Sequence, residues 1–452
     1  MPHDAEALFK QAKELETHGR DDQAQAKYFE VLDAEPQHFG ALNNLGNLFA
    51  QRGLTAPAVA AYREALKWHP NNVAGHINLG AVLLDADDTL TARNAFERAL
   101  QLDPDSAEAH QGLSAVFGRL GDELAAQRHR LAGFRNRAVV RAPFRGEGSP
   151  LARILLLLSA KGGNVDLRRI LDDRRFEVTK VFVDACDATI PLPEHDLVFN
   201  AIGDADLCAD ALEAAAAIVA GTGARVLNPP TAVRATGRVR IAQRLSGIPG
   251  IVVPRIERFA RDAVPQNLRY PLVVRALGYH TGAHLARVSN RAELLEAVQR
   301  LPGEDLLALE FLDARGADGN VRKYRVMLIG GEIYPLHLAI SSEWMVHYFT
   351  ADNRSRAEYR DEEARFLGDM AATLGPIAMT ALKEVSDVLG LDYAGVDFGL
   401  DADGNVLLFE ANATMTVPAE PTEAIWAYRR APIHRVTDAV ESLIALASSQ
   451  ER

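Results

Sequence analysis

Asp397, Glu410 and Asn412 are three oxygen-bearing side chains set into two apolar runs, in the stretch AGVDFGLDADGNVLLFEANATM (394–415). Asp403-Gly404 between those runs signals a β-hairpin. A loop of two or four residues centred on Ala402 and Asp403 puts odd residues of the first arm on one face with even residues of the second. Val396, Phe398, Leu400, Leu407 and Phe409 then make a core face. Asp397, Glu410 and Asn412 make the opposite face, beside Gly395 and Gly399, which leave room above them. Three hard oxygen ligands thus project from one patch of sheet. A one-residue change in loop length would flip one arm and scatter them.

Three further stretches carry residues that could bind anions. In YPLVVRALGYHTGAHLARVSN (270–290) a strand, a glycine-containing loop and a second strand follow one another. Gly278 and Gly282 let backbone N–H groups approach an anion, Arg275 adds a fixed positive charge, and His280, Thr281 and His284 add hydrogen-bonding groups. A hairpin whose loop merely contains glycine explains the same stretch equally well. His280 and His284 lie in a loop rather than on a helix, so their spacing does not indicate zinc. Glu310 interrupts the apolar strand of DLLALEFLDARG (305–316), as an edge-strand residue also would. Lys323 and Arg325, on alternate positions of NVRKYRV, face the same way, which suits a polyanion, a carboxylate or simply a solvated sheet face.

The elements that must position these residues belong to a chain of 452 residues, 48% apolar and 24% charged, with formal net charge −12. That balance argues against a nucleic-acid or anionic-membrane partner. Cys186 and Cys208 have neither metal-ligand spacing nor a disulfide framework, and the longest apolar runs are too short to span a bilayer. The expectation is a cytoplasmic protein. Pro36, Pro70 and Pro104 recur every 34 residues, as do Leu45, Leu79 and Leu113, then Ala24, Ala58, Ala92 and Ala126, then Tyr28, Tyr62 and Phe96. Gly46 and Gly80 sit where paired helices must approach closely; Gly19, Gly53 and Gly121, with Asp87 in the same slot, mark the turns. This pattern resembles the tetratricopeptide repeat over residues 5 to 135, an α-solenoid. Its concave groove implies a peptide or protein partner, with Asn44 and Asn78 as candidate contacts. Self-association, as a homodimer, is the other use of such an array.

Residues 136–152 read as a linker, and from Arg153 strands and helices alternate. RILLLLS, FEVTKVFVD, DLVFNAIG and ARVLNPP read as strands, NVDLRRILDD and LCADALEAAAAIVAGTG as helices, giving a small α/β domain over 153–230. The loop SAKGGNVD is neither a dinucleotide fingerprint nor a P-loop. Taken in order, the later pieces resemble the ATP-grasp superfamily, in the branch of D-alanine–D-alanine ligases and ribosomal-protein glutamate ligases. The resemblance is carried by VLNPPTAVRATGRVRIAQRLSGIPGIVVPR, YPLVVRALGYHTGAH, LALEFL, RKYRV and GVDF…LFEANAT.

That resemblance implies an α+β ATP-grasp domain over 231–445, with a lid subdomain at about 235–312 and a catalytic subdomain at about 313–445. It implies ATP held by Arg275, by Arg238 or Arg240, by the Gly278–Gly282 loop with His280 and Thr281, and by a hinge at Glu310, Phe311 and Leu312. It implies two Mg²⁺ ions, replaceable by Mn²⁺, on Asp397, Glu410 and Asn412, with Arg325 as a catalytic cation, to which the shared strand face adds Lys323. The implied reaction joins a carboxylate to an amine through an acyl phosphate, with a small-molecule carboxylate or amine as one substrate and a peptide, protein or carrier-bound group as the other. An ATP-grasp kinase and a nucleotide-binding scaffold are the alternatives. Arginine replaces the family's usual lysine at 275 and at 238, Lys323 stands where the family has aspartate, and NATMTVPAEP replaces its substrate loop. The acceptor pocket therefore does not carry over.

Overall fold

The structure, a computed structural model, describes residues 5–135, 137–186, 191–277, 284–346 and 351–449. The chain divides into two compact units, Met1–Arg137 and Ala138–Arg452.

In the first unit the described residues form eight helices. These are α1 (Ala5–Thr17), α2 (Asp21–Ala34), α3 (Phe39–Gln51), α4 (Thr55–Trp68), α5 (Val73–Asp85), α6 (Thr89–Leu102), α7 (Ala107–Arg119) and α8 (Glu123–Phe134). The 34-residue period has direct structural meaning. His38, Asn72 and Ser106 each cap the first helix of a pair by accepting a backbone N–H three residues on. The turn within a pair needs a left-handed residue, supplied by Gly19, Gly53 and Gly121, and by Asp87 at φ 61° in the third pair. A Cβ on Gly46 would sit 2.5 Å from the Tyr62 ring, and one on Gly80 would sit 2.9 Å from Phe96, so each glycine seats the aromatic of its partner helix.

The second unit opens with a five-stranded sheet built from β1 (Val139–Arg141), β2 (Ala152–Leu158), β3 (Phe176–Phe182), β4 (Leu197–Asn200) and β5 (Arg225–Leu227). Its order is β1-β3-β2-β4-β5, parallel except for β1 at the edge. Two local readings change here. Residues 139–141, inside the stretch read as linker, form the edge strand. Residues 164–173, read as a helix, form turns: Asp166 and Asp172 accept the backbone N–H two residues on, a bond that competes with helix. The helix of the LCADALEAAAAIVAGTG stretch is α9 (Ala209–Val219), followed by α10 (Pro230–Arg234), α11 (Arg238–Leu245) and the short β6 (Ile251–Val252).

A four-stranded antiparallel sheet follows: β7 (Ile256–Ala260), β8 (Leu272–Ala276), β9 (Leu285–Val288) and β10 (Asp305–Glu310), in the order β7-β10-β8-β9. Leu272, Val274, Ala276, Leu306 and Ala308 bury one face against α12 (Arg291–Arg300). The opposite face carries Val273, Arg275, Leu307 and Leu309. The third sheet uses β11 (Val321–Ile329), β12 (Glu332–Ser341), β13 (Tyr393–Leu400) and β14 (Val406–Asn412), in the order β12-β11-β13-β14-β6. Helices α13 (Ala357–Gly368), α14 (Met370–Leu389) and α15 (Arg430–Ser449) complete the unit. Asn228, just beyond β5, ties the first sheet to the third. Its side chain both donates to Tyr393 O and accepts from Tyr393 N, while its backbone N–H donates to Asp392.

Candidate functional site

The hairpin of β13 and β14 departs from the expected geometry in two places. Its loop has five residues, 401–405, closed by Asp401 N–H donating to Asn405 O and by the Asp401 carboxylate. Phe398 consequently pairs with Leu408, and Leu400 with Val406. Continued regularly, that register would bring Phe409 opposite Asp397 and send Glu410 to the core. A β-bulge at Phe409 takes up the odd residue, so that Asp397 pairs with Glu410 and Gly395 with Asn412. The three oxygen-bearing side chains therefore share a face, by a different route from the one expected. The core face is corrected accordingly. Val406 and Leu408, not Leu407 and Phe409, join Val396 and Phe398 in the main core. Leu407 and Phe409 pack on the other side with Leu312, Ala314 and Val321.

One straight row crosses four strands at this point: His337 on β12, Arg325 on β11, Asp397 on β13 and Glu410 on β14. Arg325 grips Asp397 with both prongs, Nε to Oδ1 at 2.5 Å and Nη2 to Oδ2 at 2.8 Å. Lys323 Nζ lies 3.2 Å from Asp397 Oδ2. Burial would raise the pKa of the Asp397 carboxyl. The Lys323 and Arg325 charges overcome it and hold the group well below the usual carboxylate range. Burial, then the Arg325 charge, pushes the His337 imidazole well below its ordinary value, so it is neutral. At the other end of the row Glu410 accepts from Arg238 Nη2 and, at 2.8 Å, from Asn412 Nδ2. Asn412 Oδ1 accepts from the Thr414 backbone N–H and hydroxyl, which fixes the amide's orientation.

Arg238 begins α11, and its backbone N–H donates to Asp206 Oδ2 at 3.0 Å. Arg275 comes from the second sheet, with Leu307 beside it on the same face. Burial, then the neighbouring Arg238 charge, lowers the Arg275 guanidinium to about 10, still charged at neutral pH. These groups line an open cleft among the three sheets, together with Gly203, Asp204, Asp206, Thr236 and Thr414. The polar residues of this set that had not been singled out, Asp204, Asp206, Thr236 and Thr414, lie in loops without periodicity; a parallel sheet's C-terminal edge was the one signal available for Asp204 and Asp206. His337 was missed too, although a histidine inside the apolar strand IYPLHLAIS is itself a signal.

The structure thus brings together Arg238, Arg275, Glu410 and Asn412 in the cleft, and Lys323, Arg325 and Asp397 beside it. Glu310, Phe311 and Leu312 do not line the cleft. Glu310 exchanges hydrogen bonds with Arg255, Phe311 lies under the Arg287 guanidinium and against the edge of Trp344, and Leu312 joins the small core around Ala314. Gly278, His280, Thr281 and Gly282 lie outside the described residues.

In the repeat unit the proposed groove amides are engaged within the array. Asn44 Nδ2 donates to the Tyr28 hydroxyl at 2.8 Å and Asn78 Nδ2 to Asn43 Oδ1 at 2.9 Å. Both therefore have a packing role that the expectation of peptide contact omitted.

Asp397 and Glu410 fit a hard divalent cation in donor chemistry, two carboxylates adjacent on one face; Asn412 would join them through Oδ1 only once its amide turned away from Thr414. Among the described residues no three His, Cys, Asp or Glu side chains converge to make a cage. A cation here would depend on ligands from a bound phosphate, the usual habit of Mg²⁺.

Residues 39–72 match the tetratricopeptide repeat family. The first unit contains a tetratricopeptide repeat region. Among solved structures the chain is similar to MamA (23% identity, 28% of this chain and 74% of that one, TM-score 0.27) and to MamA residues 41 to the end from Desulfovibrio magneticus RS-1 (22%, 30% and 77%, TM-score 0.28). It is also similar to YrrB, described as a TPR protein with an unusual peptide-binding site (21%, 30% and 69%, TM-score 0.28). No curated protein sequence matches the chain. None of the described helices is long and apolar enough to cross a membrane.

Proposed function

We propose that the second unit is an ATP-grasp ligase that joins a carboxylate to an amine with release of ADP and phosphate. The carrying observation is the cross-strand row ending at Glu410, faced by Arg238 and Arg275 from two other parts of the unit. In this reading Arg238 and Arg275 bind the nucleotide phosphates, for which the planar guanidinium is well shaped. The apolar face of Val273, Leu307 and Leu309 beside Arg275 accepts the base. Asp397, Glu410 and Asn412 hold Mg²⁺, which would neutralise charge on the transferring phosphoryl group. The acid substrate's carboxylate attacks the γ-phosphorus and ADP leaves. The amine then adds to the acyl carbonyl, phosphate leaves with the bonding pair, and the amine proton passes to solvent. Arg325, paired with Asp397, would balance charge on the acyl phosphate. The repeat array recruits the peptide or protein that carries one of the two substrates.

The test is ADP release by the full chain across carboxylate and amine pairs, with mass detection of the product. Glu410→Gln should lower turnover by about 10²–10³. An amide product with free phosphate is the expected result. A stable phosphoester, or activity untouched by Glu410→Gln at limiting Mg²⁺, would overturn the ligase reading.

A further inference from the structure

The cations of the site fall into two groups with the carboxylate pair between them. Arg238 and Arg275 stand on the β14 side, within the cleft. Arg325 and Lys323 stand on the β11 side, and neither lines that cleft. The second group is doubled where one cation would suffice. Arg325 alone engages both oxygens of Asp397, so Lys323 is a second positive charge on a carboxylate already paired. The imidazole of His337, opposite Arg325, supplies no negative charge. Lys323 is not sealed in: its side chain is 15% exposed, and its partner across β12 is the small Ala339. A divalent cation on Asp397 would share that carboxylate and leave both side chains able to turn toward a ligand. Two residues apart on one strand face, the two positions are separated by about 7 Å.

We propose that Lys323 and Arg325 form a second anion site that takes the acid substrate by two carboxylates, Lys323 selecting a dicarboxylate whose acid groups lie two or three carbons apart. This rests on the ligase reading above. Arg325 holds the carboxylate that is to be phosphorylated, and Lys323 holds the one that is not. A monocarboxylic acid leaves Lys323 on Asp397 and gains nothing from it.

Glutarate and valerate are five-carbon acids that differ by one carboxylate, and either can be titrated calorimetrically into the full-length protein with Mg²⁺ and ADP present. The wild type should bind glutarate about tenfold more tightly, the size of one charge-assisted hydrogen bond. Lys323→Met should abolish that preference and Lys323→Arg should keep it, folding being checked by the unfolding midpoint. The wild-type comparison needs no variant and already decides the matter if Lys323→Met fails to fold. Equal binding of the two acids by a protein that binds Mg²⁺ and ADP overturns the second site alone. So does a Lys323→Met protein that keeps the preference but loses nucleotide. Absence of nucleotide binding in the wild type overturns both readings.

Discussion

Tyr28 and Tyr62 in the repeat unit find their hydroxyl partners Glu16 and Asn47 at separations of 12 and 15 residues, on the neighbouring helix. In the α/β unit Arg325 meets Asp397 across 72 residues, and Arg238 meets Glu410 across 172. The repeat contacts are neutral or singly charged, and each closes a short loop. The site contacts are charge pairs that exist only when sheets and helix are already assembled. Local pairing of this kind forms early and is reproduced wherever the sequence repeats. Long-range charge pairing depends on every element at once, and it concentrates the consequences of a single change.

Removal of Arg325 should therefore give the largest effect. Arg325→Ala leaves Asp397, its side chain 5% exposed, with only Lys323, and loss of one partner of a buried pair costs about 3–5 kcal/mol. The α/β transition in urea should move accordingly while the helical transition of the repeats stays in place. A matching shift of both transitions would break the contrast between the units.

Gly46→Ala should act on the repeats instead. Its Cβ would press 2.5 Å from the Tyr62 ring, an overpacking worth about 1–3 kcal/mol. Loss of helical circular dichroism at lower temperature, with the α/β transition unmoved, is the expected record.

The smallest effect concerns pH. His337 is held neutral by burial, so its folded pKa lies below the unfolded one. As pH falls below about 6.5 the unfolded chain takes up a proton that the native site refuses, and stability declines by up to about 1.4 kcal/mol per pH unit. Above that pH neither state is protonated and the contribution is flat. His337→Gln should remove this slope between pH 6.5 and 5.5 in urea unfolding, whereas Asp397, whose pKa is lowered, makes itself felt only below about pH 4. An unchanged slope would show that other histidines set it.

Much of this contrast was legible beforehand, and unevenly. The repeat could be read because period, glycine and aromatic all report one local geometry: even Asp87, standing in a glycine slot, adopts the positive φ of that slot. Asp397, Glu410 and Asn412 could be grouped because sheet faces alternate. Their neighbours Leu407 and Phe409 were put on the wrong face because the loop has five residues rather than two or four, and the bulge that restores the parity of Glu410 and Asn412 carries no local sign at Phe409. Asp204 and Asp206 had only their place at a parallel sheet's C-terminal edge to mark them, because they join the cleft through the packing of one sheet on another. Asn44 and Asn78 show a further ambiguity: equivalent positions in a repeat can serve the array as well as a partner, and both amides bond within it.

The bulge at Phe409 also bears on any attempt to transplant the hairpin. A designer who idealised it by restoring a regular ladder, keeping every residue, would face Glu410 and Asn412 into the hydrophobic core and leave Asp397 with Arg325 and Lys323 alone. Deleting Phe409 instead would keep Asp397 opposite Glu410 in an unbroken ladder, one residue shorter, although Gly399 and Ala314 would lose the ring packed near them. What a graft must preserve is therefore the pairing of Asp397 with Glu410, whether by the bulge or by one residue fewer in the β14 arm. A sequence comparison that penalises a single-residue gap at this point would reject chains whose site geometry is intact.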